Sequence, residues 1–310
     1  METKLLGVTD CDAVSAFLQD HYGRSVAATE MYIDLSTGYV RWLLSVATVW
    51  GLCLEHNLVG VIALHRYRSQ MGDQIGYVGI WCVNEIGRSH GLGKQLLDYA
   101  LDHSPKEMQV AIPYLSQIPT PHSIRLITLT IRTDVLSAMG IIEQEPTSIL
   151  IGDDLGLRIT RETDLPQIVT ALNNHPCNTS WTPKWTLEMA TQYLLPAPHA
   201  IYSYVRRDNA SRITDFIQGT AIRITYPDLG HTLFAVMIGS WYVETVPLDQ
   251  LILSWAPHLA ISGVHQIVFP DTLHYKEIAL PQQCLVQEMG VCVPSGHPIP
   301  YPDVCVLPWI

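Results

Sequence analysis

Residues 79–100, GIWCVNEIGRSHGLGKQLLDYA, constrain this chain most. A short apolar run of strand type meets the turn Arg88-x-x-Gly91-x-Gly93, and an amphipathic pattern follows at once. Leu92, Leu96, Leu97, Ala100 and Leu101 share one helical face. The spacing predicts a strand, a tight glycine turn and a helix, in that order. A helix start offers unpaired backbone N–H groups and a partial positive charge, which suit phosphate. Gly91 and Gly93 let a ligand approach the main chain with no Cβ in the way. Arg88 and Lys94 add positive charge. The pattern points to a phosphorylated cofactor.

Two common phosphate loops do not fit. The dinucleotide fingerprint G-x-G-x-x-G needs a third glycine three residues past Gly93, where Leu96 stands. The triphosphate loop G-x-x-x-x-G-K-[ST] needs a glycine at Arg88 and a hydroxyl residue at Gln95. The hexamer alone also suits a plain strand-to-helix turn. The strand before it, the helix after it and a hairpin upstream favour a ligand site.

Apolar spacing predicts helices over 12–21 and 35–45, the second capped by Ser36 or Thr37. Residues 51–55 and 58–65 read as a hairpin turning at His56-Asn57. Strands follow over 74–83 and 108–115, with a helix over 91–104 between them. The order then recurs. Residues 156–175 read as a strand and a helix capped by Thr163. Two strands over 201–224 flank the polar turn Asp208 to Ser211. A strand over 231–243, a helix over 247–263 and a strand over 264–270 complete the copy. Thr245, Val246 and Pro247 stand where the first half has its glycine turn. The expected fold is α/β (α+β), two copies of one unit, each a mixed, largely antiparallel twisted sheet flanked by helices. The expected domains are 1–150, carrying the chemistry, and 151–310, meeting near Thr147 to Gly156.

Composition narrows the partners. The chain has 310 residues, 48% hydrophobic and 15% charged, which is a globular balance that suits two domains. A net charge of −11 with no Lys/Arg block argues against nucleic acid. The longest apolar stretch, Trp42 to Leu54, is short of the roughly 20 residues a bilayer span needs. Acids interrupt the first fourteen residues, unlike a signal peptide, so a cytoplasmic location is expected. The seven cysteines, at 11, 53, 82, 177, 284, 292 and 305, form no C-x-x-C, and no H-x-x-x-H pair of the metalloprotease kind occurs. Neither a disulfide framework nor a bound metal is expected.

An R-x-x-G-x-G turn after a strand resembles the pyrophosphate loop of the GCN5-related N-acetyltransferases, which bind acyl-coenzyme A. The segments YIDLSTGYVRWLLS, LVGVIAL, WCVNEIGRSHGLGKQLL and IPTP resemble successive blocks of the N-myristoyltransferases, a tandem form of that fold. LRITRETDLPQIVTALNNH, YLLPAPHAIYSYV and ITDFIQGTAI resemble that family's second repeat, in the same order. The resemblance spans residues 12–307. It implies a fatty acyltransferase with myristoyl-CoA as co-substrate and no metal. Its partner would be a protein or peptide whose N-terminal glycine amine attacks the thioester directly, and the enzyme is expected to be a monomer. The resemblance assigns the oxyanion donors to the backbone amides of Ile80 and Trp81. Trp81, Cys82 and Val83 fall on the cofactor-binding strand, and Ser89, His90, Gly91, Leu92 and Gly93 on the pyrophosphate turn, flanked by Arg88 and Lys94. The base would be the C-terminal carboxylate, here that of Ile310.

The match departs from the family at the acceptor. Gly79 stands where an Asn is expected, Tyr77 replaces a carboxylate, and the expected Thr falls near Pro113. The acidic loop expected after Tyr22 reads GRSVAA, and the long N-terminal segment of the family has no counterpart before the first helix. CVLPWI reads either as the last strand or as a tail that presents Ile310. Three readings stay open: a divergent N-myristoyltransferase, an N-acyltransferase with another acyl-CoA or amine, and an inactive relative that binds a partner. Other bases weigh less. His65 is expected to be solvent-exposed at a strand end, His90 to face phosphate or water, and Glu85 to be solvated. Tyr99 belongs at the core edge. Cys82 has no Cys-His-Asn trio around it, and buried cysteine is common. Trp42, Trp50, Trp241 and Trp255 are expected in the core.

Overall fold

The computed structural model describes residues 1–22, 32–114, 122–139, 154–175, 182–197, 200–226, 230–270 and 284–292. Strand β1 (Glu2–Leu6) leads through a 3-10 turn into helix α1 (Cys11–His21), and β2 (Tyr32–Asp34) leads into α2 (Thr37–Val46). Ser36 caps α2, its Oγ accepting from the Tyr39 N–H at 3.1 Å. The hairpin is β3 (Thr48–Leu54) and β4 (Asn57–Arg68). Its turn lies one residue earlier than expected, on Glu55 and His56, whose φ angles are 49° and 70°. Then come β5 (Gln74–Val83), α3 (Glu85–Ser89), α4 (Leu92–Asp102), β6 (Gln109–Tyr114), β7 (His122–Thr130) and α5 (Thr133–Ala138).

The second half repeats the plan. It runs β8 (Arg158–Ile159), α6 (Leu165–Asn173), α7 (Leu187–Tyr193), β9 (Ile201–Arg207) and β10 (Ile213–Tyr226). It ends with β11 (His231–Val243), α8 (Leu248–Ile261), β12 (Gln266–Pro270) and β13 (Cys284–Cys292). Thr163 does not cap α6; it lies inside a 3-10 turn. Asp164 takes the cap position, and its Oδ2 accepts from the Arg161 N–H at 2.8 Å. That bond closes the 3-10 turn, and no side chain caps α6.

Strand pairing makes the duplication explicit. The order across the sheets is β1-β3-β4-β5-β6-β13-β7-β12-β11-β10-β9-β8. Five strands of the first half mirror five of the second about the central pair β13 and β7. Each outer set is antiparallel except for one parallel step, β5–β6 and β11–β12. The tandem, largely antiparallel architecture read from the sequence is therefore present. The central pair is exchanged. Strand β7 pairs with β12 and β13, and β13 reaches back to pair with β6. Each half thus lends a strand to the other, and their main-chain hydrogen bonds tie the two sheets together.

Helices cover the strands on both faces. On one face of the first sheet, α1 and α2 bury Val61, Ala63, Ile80 and Cys82. On the other, Leu92, Leu96 and Ala100 of α4 pack on Ile62, Leu64 and Val78. In the second half, Leu251, Trp255 and Leu259 of α8 pack on Ile217, Val236 and Ile238. Each such large side chain contributes about 1.5–3 kcal/mol when fully buried. A further core joins the halves: Tyr67, Ile75 and Tyr77 pack with Tyr193, Phe216 and Met237. Trp50 and Trp255 are core residues as expected, and Trp42 and Trp241 pack at core edges.

Candidate active site

The site begins where two strands part. Strand β5 pairs with β6 in parallel over Ile75, Gly76 and Tyr77, against Gln109, Val110 and Ala111. Beyond that point β6 turns to β13, pairing Ile112, Pro113 and Tyr114 with Cys292, Val291 and Gly290. The next six residues of β5, Val78 to Val83, keep β4 on one edge and have no β6 partner on the other. An unpaired strand edge offers N–H and C=O groups to an extended ligand. The ladder with β4 skips Gly79, since Ala63 faces Ile80 and Leu64 faces Val78. Such a bulge re-aims the main chain that follows it. Here that main chain is Ile80 and Trp81.

Side chains of this segment serve the core, which leaves the main chain for a ligand. Ile80 and Cys82 are buried under α1 and α2. Burial pushes the Cys82 thiol up to about 12, against the opposing charge of Arg88. Cys82 is therefore a thiol at neutral pH, and a covalent route through it is disfavoured. Trp81 is half-buried beside α4, and its Nε1 is buried without a hydrogen-bond partner.

The strand ends on a turn more elaborate than expected. The short helix α3 stands between Val83 and the two glycines. Asn84 caps it, Oδ1 accepting from the Gly87 N–H at 2.9 Å. Gly87, absent from the sequence-based site, is sterically demanded. A Cβ there would lie 2.3 Å from Val83 Cγ1 and 3.1 Å from the Val59 carbonyl oxygen. Ser89 Oγ donates to the Ile86 carbonyl at 2.8 Å, and His90 Nδ1 lies 2.8 Å from the same oxygen. Helix α4 then starts on Gly91, whose φ of 67° is left-handed. With no side chain, Gly91 caps nothing, so the first-turn amides of Leu92, Gly93 and Lys94 lack a side-chain acceptor. A Cβ on Gly93 would meet only ordinary contacts, 3.4 Å from Val83 Cγ2 and 3.8 Å from Trp81 Cζ2. The fold does not require glycine there.

The two cations of the turn are partly committed. Arg88 Nη1 donates to the Val83 carbonyl at 3.1 Å. Lys94 Nζ sits 2.5 Å from Asp98 Oδ2 in an exposed i,i+4 pair. His65 differs from expectation: it is wholly buried inside β4, because the strand continues three residues past it to Arg68. It faces Tyr77 across the ladder, beside the point where β5 leaves β6. Tyr193 donates its O–H to the Val46 carbonyl at 3.0 Å, and His65 Nδ1 lies 3.3 Å from the Tyr193 hydroxyl oxygen. The imidazole therefore carries its proton on Nδ1. Burial pushes its pKa down to about 3. Trp42 closes this group, its ring 6.2 Å from His65 and 5.8 Å from Tyr193. The pairing of His65 with Tyr193, 128 residues away, carries no local sequence signal.

Ile80 to Lys94 are thus gathered along one strand and the turn that ends it. Ile310, the IPTP block and the GRSVAA segment lie outside the described residues. Among the described residues, no group of three or more His, Cys, Asp or Glu could hold a metal ion. No helix among them is long and apolar enough to cross a membrane.

Comparison with known proteins supplies a context for this geometry. Residues 17–128, about a third of the chain, match the model of the Acetyltransferase (GNAT) family. A "Putative glycylpeptide N-tetradecanoyltransferase" of Acanthamoeba polyphaga mimivirus is 23% identical over 282 residues, 86% of this chain and 78% of its own. Saccharomyces cerevisiae N-myristoyltransferase with bound myristoyl-CoA superposes with a TM-score of 0.76 at 13% identity, over 94% of this chain and 78% of that one. A GCN5-related N-acetyltransferase from Anabaena variabilis superposes at 0.51 and 12% identity, over 94% and 72%. At these identities the structural likenesses show the fold alone, two GNAT-like lobes in tandem.

Proposed function

We propose that this chain, built on the GNAT-superfamily fold, is an acyl-CoA-dependent N-acyltransferase, and that it transfers a fatty acyl group, myristoyl first, to an N-terminal glycine. The observation that carries the reading is the parting of β5 from β6 after Tyr77, on a strand that leads through α3 to the start of α4, where Gly91 provides no side-chain cap. In this reading the first-turn amides of α4, with Ser89 to Gly93, hold the diphosphate, and Arg88 and Lys94 add charge. The pantetheine arm runs along Trp81 to Val83 as an extra strand. Residues 1–150 hold the carrier, and residues 151–310 receive the acceptor. A cytoplasmic, monomeric protein suits these roles.

The chemistry is one displacement. The acceptor nitrogen forms a bond to the thioester carbon, the C–S bond breaks, and CoA leaves as thiolate and is then protonated. Backbone N–H groups of Ile80 and Trp81 stabilise the oxyanion, a contribution of about 3 kcal/mol per donor. Cys82 takes no covalent part. The amine must first lose a proton. His65, with its pKa near 3, is a poor acceptor for it. The carboxylate of Ile310 is the base in this reading, following the family resemblance.

Gly79 and Tyr77 favour a second reading, since they replace an amide and a carboxylate expected around the acceptor amine. Under it the donor is still an acyl-CoA, but the acceptor is another amine. The two separate in one assay. The protein is incubated with myristoyl-CoA or acetyl-CoA and with Gly-starting peptides, Lys-containing peptides or small amines, and products are weighed by mass spectrometry. Myristoylated glycine supports the first reading; another acylated amine supports the second. Absence of any acylated product contradicts both.

A further inference from the structure

Gly60 and Asp215 occupy matching places in the two sheets. In the first, Gly60 pairs with Val83, and after four pairs the ladder skips Gly79. In the second, Asp215 pairs with Val243, and after four pairs the ladder skips Gly239. The skipped residues open matching segments, GIWCV at 79–83 and GSWYV at 239–243. The parallel steps match too: Ala235, Val236 and Met237 pair with β12 as Ile75, Gly76 and Tyr77 pair with β6. The second half therefore keeps both the bulge and the parting of strands.

What differs lies under the helix start. A Cβ on Gly60 would meet Leu96 Cδ2 at 3.1 Å and Val83 Cγ2 at 3.5 Å, so a long side chain would crowd the base of α4. In the second half, Val243 runs through Glu244, Thr245, Val246 and Pro247 straight into α8, and the Asp215 side chain lies beneath that turn. It is wholly buried. Its Oδ1 accepts from the Glu244 N–H at 3.0 Å and the Thr245 N–H at 3.2 Å. Its Oδ2 accepts from Thr214 Oγ1 at 2.8 Å, Thr245 Oγ1 at 2.5 Å and Arg206 Nη1 at 3.1 Å. Burial raises the carboxyl pKa, but the bonds from Thr245, Glu244 and Thr214 outweigh it and hold the group below its ordinary value. Two main-chain amides, two hydroxyls and a guanidinium converging on one anion are the donor set that a bound oxyanion meets.

We propose that the second lobe retains an anion-binding turn whose occupant is the chain's own Asp215 carboxylate, and that Asp215 closes this lobe to small oxyanions such as formate or phosphate. The inference stands on the matching registers of the two sheets and the bonds to Asp215, and does not need the acyltransferase reading. In the first lobe Gly60 leaves the corresponding place free of a side chain.

The test is anion rescue in the full chain. Thermal unfolding of the wild type, Asp215→Ala and Asp215→Asn is followed in chloride, formate and inorganic phosphate at equal ionic strength. Asp215→Ala loses about 10 °C in chloride, since five bonds to one buried charge are lost. Formate or phosphate restores part of that loss saturably, beyond any shift the wild type shows. Asp215→Asn, whose amide fills the space, gains nothing extra. Equal behaviour of Asp215→Ala in all three salts overturns the proposal, as does equal rescue of Asp215→Asn, which places the anion elsewhere. If Asp215→Ala does not fold in chloride, the refolding yield is read instead: a higher yield in formate supports the proposal and equal yields overturn it.

Discussion

Val83 Cγ2 lies 3.4 Å from the point a Cβ on Gly93 would occupy, and Trp81 Cζ2 lies 3.8 Å from it, so the end of the parted strand packs against the start of α4. Strand and helix start thus form one surface, with glycine at the contact. The two glycines of the turn serve it for different reasons. Gly91 has a left-handed φ of 67° and open space around it. Gly93 has ordinary geometry and modest room.

Substitution separates those reasons. Gly91→Ala costs about 1–2 kcal/mol of stability from backbone conformation alone. Gly93→Ala leaves stability within about 0.5 kcal/mol. Urea denaturation of both variants checks the contrast, and equal losses contradict it.

Gly87→Ala is the most damaging change in the turn. Its Cβ meets Val83 Cγ1 at 2.3 Å and backbone at 3.1 Å, and neither can move without disturbing β5 or β4. A loss of about 1–3 kcal/mol is expected from overpacking. A denaturation midpoint equal to the wild type's contradicts the packing described for α3.

His65 makes stability depend on pH. Its folded pKa of about 3 lies below the unfolded value of about 6.5, because burial disfavours the charged form. Its contribution is complete above pH 6.5 and is lost as pH falls from there toward 3. The slope reaches about 1.4 kcal/mol per pH unit. Asp215 and other carboxylates with lowered pKa add their losses at the acid end, below their ordinary values. His65→Gln removes the histidine part, so its curve is flatter than the wild type's between pH 6 and 4. Parallel curves contradict the assignment.

Tyr193 bonds across the two halves. Tyr193→Phe removes the donor to the Val46 carbonyl and the partner of His65 Nδ1, for a loss of about 1–2 kcal/mol. Tyr193→Phe in a His65→Gln background costs less than in the wild type, because the pair is coupled. Additive losses contradict that coupling.

Local features were legible in the sequence. The amphipathic face of α4, the cap at Ser36 or Thr37 and the β9–β10 turn follow from spacing within a dozen residues, and the repeat follows from the recurring order of such local patterns. Features set by distant partners were not. The exchange of β7 and β13 depends on which strand edges lie open after folding. The burial of His65 depends on Tyr193 and Trp42. Gly79 read as a lost side chain, yet it is also the residue skipped by the ladder, and its counterpart Gly239 emerges only when both registers are compared. Gly87 went unnoticed because its need for glycine comes from Val59 and Val83, not from a motif. At the candidate site the sequence placed Ile80 to Lys94 along one strand and turn.

The central claim is that an acyl-CoA lies along β5 with its diphosphate on the turn at residues 88–94. The most direct measurement is calorimetric titration of the wild type and Gly93→Val with a non-hydrolysable myristoyl-CoA analogue. The account predicts saturable binding to the wild type and a weakening of at least about tenfold, or 1.4 kcal/mol, in Gly93→Val at unchanged fold stability. No binding to the wild type, or equal affinity for both proteins, contradicts it.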